Sequence, residues 1–395
     1  MYILIKKKII RYNINKKGES KKKMKEEKIK KRGKHSRKKG KTILKILIIL
    51  IALLVCTGLF LLYGPYDGFR NWLITTAMTT MNHQYLATWF YSDETIQEVL
   101  KNNRVDEIDE NTNVEQIYKK DEAKEKKKQV TYENEYERQI LEKDEKNNDY
   151  KVIKIKGNGF EGYLVAIYDA SRVKVATTKY IGSSGQYLTD IAKQNNALVA
   201  INGGGFEDEG GQGSGGFPLG ITVKDKKYIS TNSYYGSGGL IGFDDNNNMI
   251  IGKMDVSQAK SYNIRDAVTF SPFLITNGKA SRVQGNGGWG TGPRTAIGQR
   301  KDGIVLFLVL DGRTIQNPGA QINDMIDIMQ NYGAVTAANL DGGTSTALVI
   351  NGKIVNNPTN LSGNHSTRPI CTAFILERDE SDDSDNSVVA NKLNN

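Results

Sequence analysis

The chain of 395 residues is long enough for two or more domains, and its formal charge of +11 is held unevenly. Residues 1–45 carry 20 Lys and Arg against Glu19, Glu26 and Glu27, a net of +17, which leaves residues 46–395 at −6. The basic balance belongs to a tail, so no nucleic-acid partner is expected of the folded part, and the only cysteines, Cys56 and Cys371, exclude a disulfide framework.

A Lys-rich tail can neutralise nucleic-acid phosphates, but the segment after it points to a membrane. Residues 46–63 contain no charge and are dominated by Leu, Ile, Val and Phe. Lys45 can snorkel to the interface, which extends the span to 42–63, enough for one transmembrane helix. The positive tail, 1–41, is then cytoplasmic and everything after Tyr63 extracellular. The n-region is long, and Leu61-Leu62-Tyr63-Gly64-Pro65 lacks a small-x-small cleavage site, so an uncleaved signal anchor is expected rather than a cleaved signal peptide.

Residues 64–93 crowd Trp72, Tyr85, Trp89, Phe90 and Tyr91 into a juxtamembrane element with the look of an interfacial aromatic belt. His83 in this stretch reads as a surface or packing residue. Residues 94–149 are rich in Glu, Lys, Asp and Asn, as in 121–128, and read as a charged stalk, either helical and solvated or disordered.

From Tyr150 the chain changes to short β-prone runs between glycine-rich turns. Strands are expected at 152–155, 163–168, 173–176, 197–201, 219–223, 239–243, 249–251, 304–310, 347–350 and 370–376. Helices are expected at 188–195 and at 320–332, where Ile322, Met325, Ile326 and Met329 share one face. The class is therefore α+β, with an extensive, mainly antiparallel sheet and a few packed helices over 150–377. The run Asp244-Asp245-Asn246-Asn247-Asn248 reads as a hairpin turn rather than a calcium site, because Asx residues tolerate left-handed backbone. The acidic end, 378–395, is expected to be disordered.

Several apolar runs end in a polar residue followed by glycine. Ala337-Ala338-Asn339-Leu340-Asp341-Gly342-Gly343-Thr344-Ser345 delivers one carboxylate beside glycines and hydroxyls. Asn202-Gly203-Gly204-Gly205-Phe206 opens a glycine-rich loop carrying Glu207, Asp208 and Glu209. Gly292-Pro293-Arg294-Thr295 sets an arginine where packing alone gives it little reason to be, and its planar fork suits phosphate or carboxylate. Leu310-Asp311-Gly312-Arg313 supplies a second carboxylate in what is also a hairpin pattern, and His365 and Arg368 precede the last strand. Two carboxylates can divide acid and base roles, while the arginines can hold a phosphoryl group and stabilise it as it leaves.

Asn-Gly-Gly-Gly-Phe (202–206), Pro-Arg-Thr-Ala-Ile-Gly (293–298), Asp-Gly-Arg (311–313), Asn-Leu-Asp-Gly-Gly-Thr-Ser-Thr (339–346), Asn-Asn-Pro-Thr (356–359) and Arg-Pro (368–369) resemble, in order, the phosphodiester glycosidase family. Bacterial members of that family often carry an exopolysaccharide-biosynthesis label. The resemblance implies a sugar–phosphate diester substrate, and it implies that Asn202, Arg294, Asp341, Thr344, Ser345 and Arg368 line one cleft. The chain departs from the family pattern at Gly204-Gly205-Phe206, where a second aromatic is common, and at His365.

The expectation is a hydrolase cleaving the glycosyl–phosphate bond in cell-envelope or exopolysaccharide glycans. Asp341 is the first candidate for acid/base work, with Asp311 or Glu207 as its partner. Arg294 and Arg368 are candidates for the phosphate, and Asn202, Gly203, Gly342, Gly343, Thr344, Ser345 and His365 for the remaining substrate contacts. No cofactor or metal ligand is assigned, and metal dependence is left open. The alternative from another class is a non-catalytic glycan-binding or polysaccharide assembly protein using the same cleft.

Overall fold

The structure, a computed structural model, describes residues 2–79, 83–117, 132–143, 147–208, 213–232, 238–360 and 363–379, of which 2–16 and 31–42 as backbone only. The chain forms two compact units, Met1–Arg70 and Asn71–Asn395. In the first, a continuous helix Tyr2–Tyr63 contains the stretch Ile43–Tyr63, long and apolar enough to cross a membrane and with none of its residues buried.

Among the described residues the second unit is built on three large antiparallel sheets, with a further two-stranded pair, Arg104–Asp106 and Arg282–Gln284. The largest has seven strands in the order Lys279–Ala280, Phe273–Thr276, Ala334–Asn339, Arg294–Arg300, Val305–Leu310, Phe160–Ile167, Tyr150–Gly157. A five-stranded sheet runs Lys353–Ile354, Leu348–Ile350, Ala197–Asn202, Thr372–Glu377, Val173–Thr177. The other runs Lys227–Thr231, Ile221–Lys224, Ile264–Phe270, Gly239–Asp244, Met249–Gly252.

Alternation along the strands explains the layers. Val305, Phe307 and Val309 enter a core shared by all three sheets, with Ile201, Phe374, Phe243 and Val268. Leu306 and Leu308 point the other way, onto Met325, Ile326 and Met329 of helix Ile322–Asn331 and Ile140 of helix Glu135–Leu141. A strand buried on both faces reads as a continuous apolar run, as 304–310 does. Helix Leu188–Gln194 covers the outer face of the five-stranded sheet through Ile191 and Ala192. Each fully buried aromatic such as Phe307 contributes about 2–3 kcal/mol from the area removed from water.

Each expected strand and both helices are present, and the mixed helix and antiparallel-sheet class is the observed one. The Asp244 to Asn248 run is a hairpin turn: the Asp244 carboxylate accepts from the Asn246 and Asn248 N–H groups at 2.9 and 2.8 Å, and Asn247 has φ +65°. The sequence did not reveal Ile264–Phe270, Phe273–Thr276, Arg294–Arg300 or Ala334–Asn339 as strands. Polar residues interrupt two of these, yet each finds a partner from elsewhere in the fold. Arg265 donates to Val173 O at 2.8 Å and pairs with Asp266, while Gln299 Oε1 accepts from Met249 N at 2.6 Å.

The charged stalk expected over 94–149 is corrected where it is described, although 121–128 lies outside the described residues. Strand Arg104–Asp106 pairs with Arg282–Gln284, Phe273 N donates to Glu107 at 2.8 Å, and Thr112 N donates to Ile251 O at 3.0 Å. Ile140 is fully buried. These residues have long-range partners that a local charge pattern cannot show. Past Asp379 the acidic end lies outside the described residues.

Candidate active site

Register brings the scattered motifs to one place. Ala296 faces Asn339 and Arg294 faces Leu310, so the start of Arg294–Arg300 lies beside the ends of the two strands flanking it. In the adjoining five-stranded sheet Leu348 faces Ile201 and Ala373 faces Asn202, which gathers a second set of strand ends. The Asp341 N–H donates to Gly203 O at 3.1 Å and ties one set to the other.

After Leu340 the chain makes a turn and a short 3-10 helix, Gly343–Ser345. Gly343 has φ +62°, and a Cβ there would stand 2.7 Å from Arg313 Nη2. A Cβ on Gly342 would stand 3.0 Å from Pro293 O and 3.7 Å from Arg294 Nη1. The two glycines thus admit two guanidinium groups to the same floor. Asp341 closes it: the Gly342 N–H donates to Oδ1 at 2.9 Å, and the Ser345 hydroxyl also bonds the carboxylate.

Burial pushes the Asp341 carboxyl up to about 6, against the Ser345 hydrogen bond, the Arg368 charge and the Gly342 N–H; the Asp208 charge adds to the rise. Arg294 is buried, and its Nε and Nη2 are used up on carbonyls: Ala320 O at 3.2 Å, Trp289 O at 2.6 Å and Gly290 O at 2.7 Å. Its Nη1 has no hydrogen-bond partner among the described residues. Burial and the neighbouring Arg313 bring Arg294 down to about 10, Asp324 opposing them. Burial likewise brings Arg313 down to about 10, with Asp341 opposing. Two desolvated like charges side by side favour an anion between them.

Arg313 is legible in the Asp-Gly-Arg motif, which also fits a hairpin turn. Its φ is +63°, and Nη1 donates to Thr344 Oγ1 at 2.7 Å and Thr359 O at 3.4 Å. Arg368 stands beside Asp341 with Nη1 donating to Asp208 Oδ2 at 2.6 Å and its guanidinium 4.7 Å from the Phe206 ring centroid. Burial works against the Arg368 charge, but Asp208 and Asp341 outweigh it and hold the group above its ordinary value.

Other candidates turn out to hold the frame. Asn202 is fully buried, accepting from Thr295 Oγ1 at 2.8 Å and Ala347 N at 3.2 Å and donating to Asp341 O at 2.5 Å, so its amide is spent on the protein. Gly203 packs on Thr372, where a Cβ would come within 2.6 Å of Oγ1. Asp311 is buried with both oxygens engaged, by Asn356 Nδ2 at 2.8 Å and Asn357 N at 2.9 Å; burial raises its pKa against those bonds. It fastens the 356–359 loop. His365 is exposed and pairs through Nδ1 with Asn357 Oδ1 at 2.8 Å, on that same loop. Glu207 is exposed, and no hydrogen bond among the described residues draws its carboxylate to Asp341. The structure therefore gathers Asp341, Gly342, Gly343, Thr344, Ser345, Arg294 and Arg368, adds Arg313 and Asp208, and moves Asn202, Gly203 and Asp311 into the support.

The antiparallel sheets thus bring the Asp341 carboxyl together with Arg294, Arg313 and Arg368. Residues 195–377 match the phosphodiester glycosidase family model. It is 29% identical over 201 residues to the SPbeta prophage-derived uncharacterized protein YomE of Bacillus subtilis (strain 168), covering 48% of this chain and 30% of that protein. It is 35% identical over 66 residues to the N-acetylglucosamine-1-phosphodiester alpha-N-acetylglucosaminidase of Mus musculus, covering 17% of this chain and 13% of that enzyme. The chain thus spans less than a third of the length of either relative. Among solved structures, the auto-inhibited catalytic domain of the zebrafish enzyme of that name superposes with a TM-score of 0.48 at 21% identity, over 58% of this chain and 83% of that one.

Proposed function

We propose that the chain hydrolyses the glycosyl–phosphate bond of a sugar-1-phosphodiester in cell-envelope or exopolysaccharide glycans. The observation that carries this reading is the raised Asp341 carboxyl on a floor lined by the free edges of Arg294 and Arg313, with Arg368 beside it. The family match and the activity named for the mouse relative support the same substrate class.

In this reading the diester's phosphate sits over Gly342 and Gly343 against Arg294 and Arg313, whose mutual repulsion it relieves. The C1–O bond breaks with its electron pair going to the phosphate oxygen, and the arginines stabilise the leaving charge. Water adds to C1, and ionised Asp341 takes its proton. Phosphate is a good leaving group, so a second carboxyl acting as strong acid is not required. The apolar stretch Ile43–Tyr63 supports a membrane anchor, with the basic tail inside and the sheet domain outside.

The test is turnover of chromogenic glycosyl phosphodiesters of several sugars by the full chain in detergent. Release above that of D341N supports the enzyme. Tight binding of the same compounds with equal, background turnover in both proteins would leave the glycan-binding alternative.

A further inference from the structure

The arginine that faces the glycine floor is held by a loop, and that loop is held by residues far outside the family-matched segment. Arg294 Nη2 donates to Trp289 O and Gly290 O, so these two carbonyls set where the guanidinium lies. Residues 285–290 are short of regular structure, and glycines at 285, 287, 288 and 290 all have positive φ. Left to itself such a stretch is conformationally loose.

Two polar side chains near the start of the sheet-bearing unit restrain it. Asn103, 4% exposed, accepts from Asn286 N at 3.0 Å through Oδ1 and donates through Nδ2 to Val99 O at 2.8 Å, which anchors it to helix Asp93–Asn102. Thr75, fully buried on helix Asp67–Met78, accepts from Asn286 Nδ2 at 2.8 Å. The contact is close on both sides: a Cβ on Gly290 would stand 2.3 Å from Thr76 Oγ1, and one on Gly288 2.4 Å from Asn103 O. Strand Arg104–Asp106 then pairs with Arg282–Gln284 and fixes the loop's first leg.

We propose that Thr75 and Asn103 are positioning residues of the active site, acting on Arg294 through Asn286 and the carbonyls of the 285–290 loop. The segment 71–106 is on this view a working part of the site, although it precedes the matched family segment by about ninety residues of sequence. The inference rests on the reading of Arg294 as a phosphate-binding group.

The experiment uses the full chain in detergent and the variants T75V, T75S and N103A. Amide hydrogen exchange over 282–292 reads the loop directly, with 305–310 as the internal reference. T75V and N103A are expected to speed exchange at 285–290 and leave 305–310 unchanged, while T75S keeps wild-type protection. Inorganic phosphate binding, followed by titration calorimetry, is expected to weaken by about three- to tenfold in T75V and N103A, the size of one lost hydrogen bond. Unchanged exchange in both variants overturns the proposal, as does equal disturbance by T75S and T75V, which would make the effect one of packing and not of the hydroxyl. Wild-type protein that binds no phosphate sinks the reading of Arg294, and with it this role for Thr75 and Asn103, whatever the loop does.

Discussion

Arg368 Nη1 donates to Asp208 Oδ2 at 2.6 Å, joining residues 160 positions apart. The pair is partly buried, with side-chain exposures of 25% and 14%, and Asp208 Oδ1 also accepts from Gly213 N at 2.8 Å. Asp208 thus steadies the arginine beside Asp341 and folds back the glycine-rich loop at the same time. A double-mutant cycle with D208A and R368A is expected to give a coupling of about 1–3 kcal/mol, typical of a shielded charge-assisted bond. Thermal unfolding of the four proteins measures it, and additive single effects would deny the coupling.

The pH dependence follows from Asp341. Its carboxyl is raised from 3.8 to about 6, so the folded protein holds this proton more tightly than the unfolded chain. That contribution to stability is present below the ordinary value and is lost as pH rises through about 6. D341N should therefore unfold at a higher temperature than wild type at pH 8, by about 1–3 kcal/mol, with little difference at acid pH. Activity runs the other way. kcat/KM should climb with a midpoint near 6 as the base ionises, and D341N should lose roughly two to four orders of magnitude. A profile flat across this range would remove Asp341 from proton transfer.

Arg294 and Arg313 repel each other, and an anion between them relieves the strain. Adding inorganic phosphate should raise the Tm of wild type, because a ligand that binds only the folded state stabilises it. R313A should lose most of that rise while losing little stability without phosphate, since removing one charge eases its neighbour. R313K should restore the response only in part, because an ammonium bonded to Thr344 and Thr359 has no second nitrogen to face the floor at Gly343 as Nη2 does. Equal phosphate-induced shifts in R313A and wild type would argue against the cradle.

Asp311 is expected to behave as a support. Its oxygens receive two donors, Asn356 Nδ2 and Asn357 N, so an amide in its place would set one N–H group against another. Both D311A and D311N should therefore destabilise the fold, by about 2–4 kcal/mol. An acid in the reaction would instead leave D311N folded and inactive. Tm and kcat measured together separate the two.

The sequence by itself determined a good deal here. Alternation and apolar runs set ten strands and two helices, because side-chain period is a local property that burial enforces. Gly342 and Gly343 beside Asp341 marked the floor, because only residues without a Cβ leave room for a close approach. The apolar stretch at 43–63 was equally legible from composition. What tertiary structure decided is who meets whom. Asn202 reads as a substrate amide until its bond to Asp341 O, 139 residues away, is seen. Asp311 reads as a catalytic acid until Asn356 and Asn357 claim it, and Arg313 reads as a turn residue until Gly343 admits it to the floor. Asn103, Glu107 and Thr112 read as parts of a spacer until their bonds to Asn286, Phe273 and Ile251 appear. A polar side chain has the same local signature whether it faces a ligand or a buried partner, and only the long-range hydrogen bond distinguishes them.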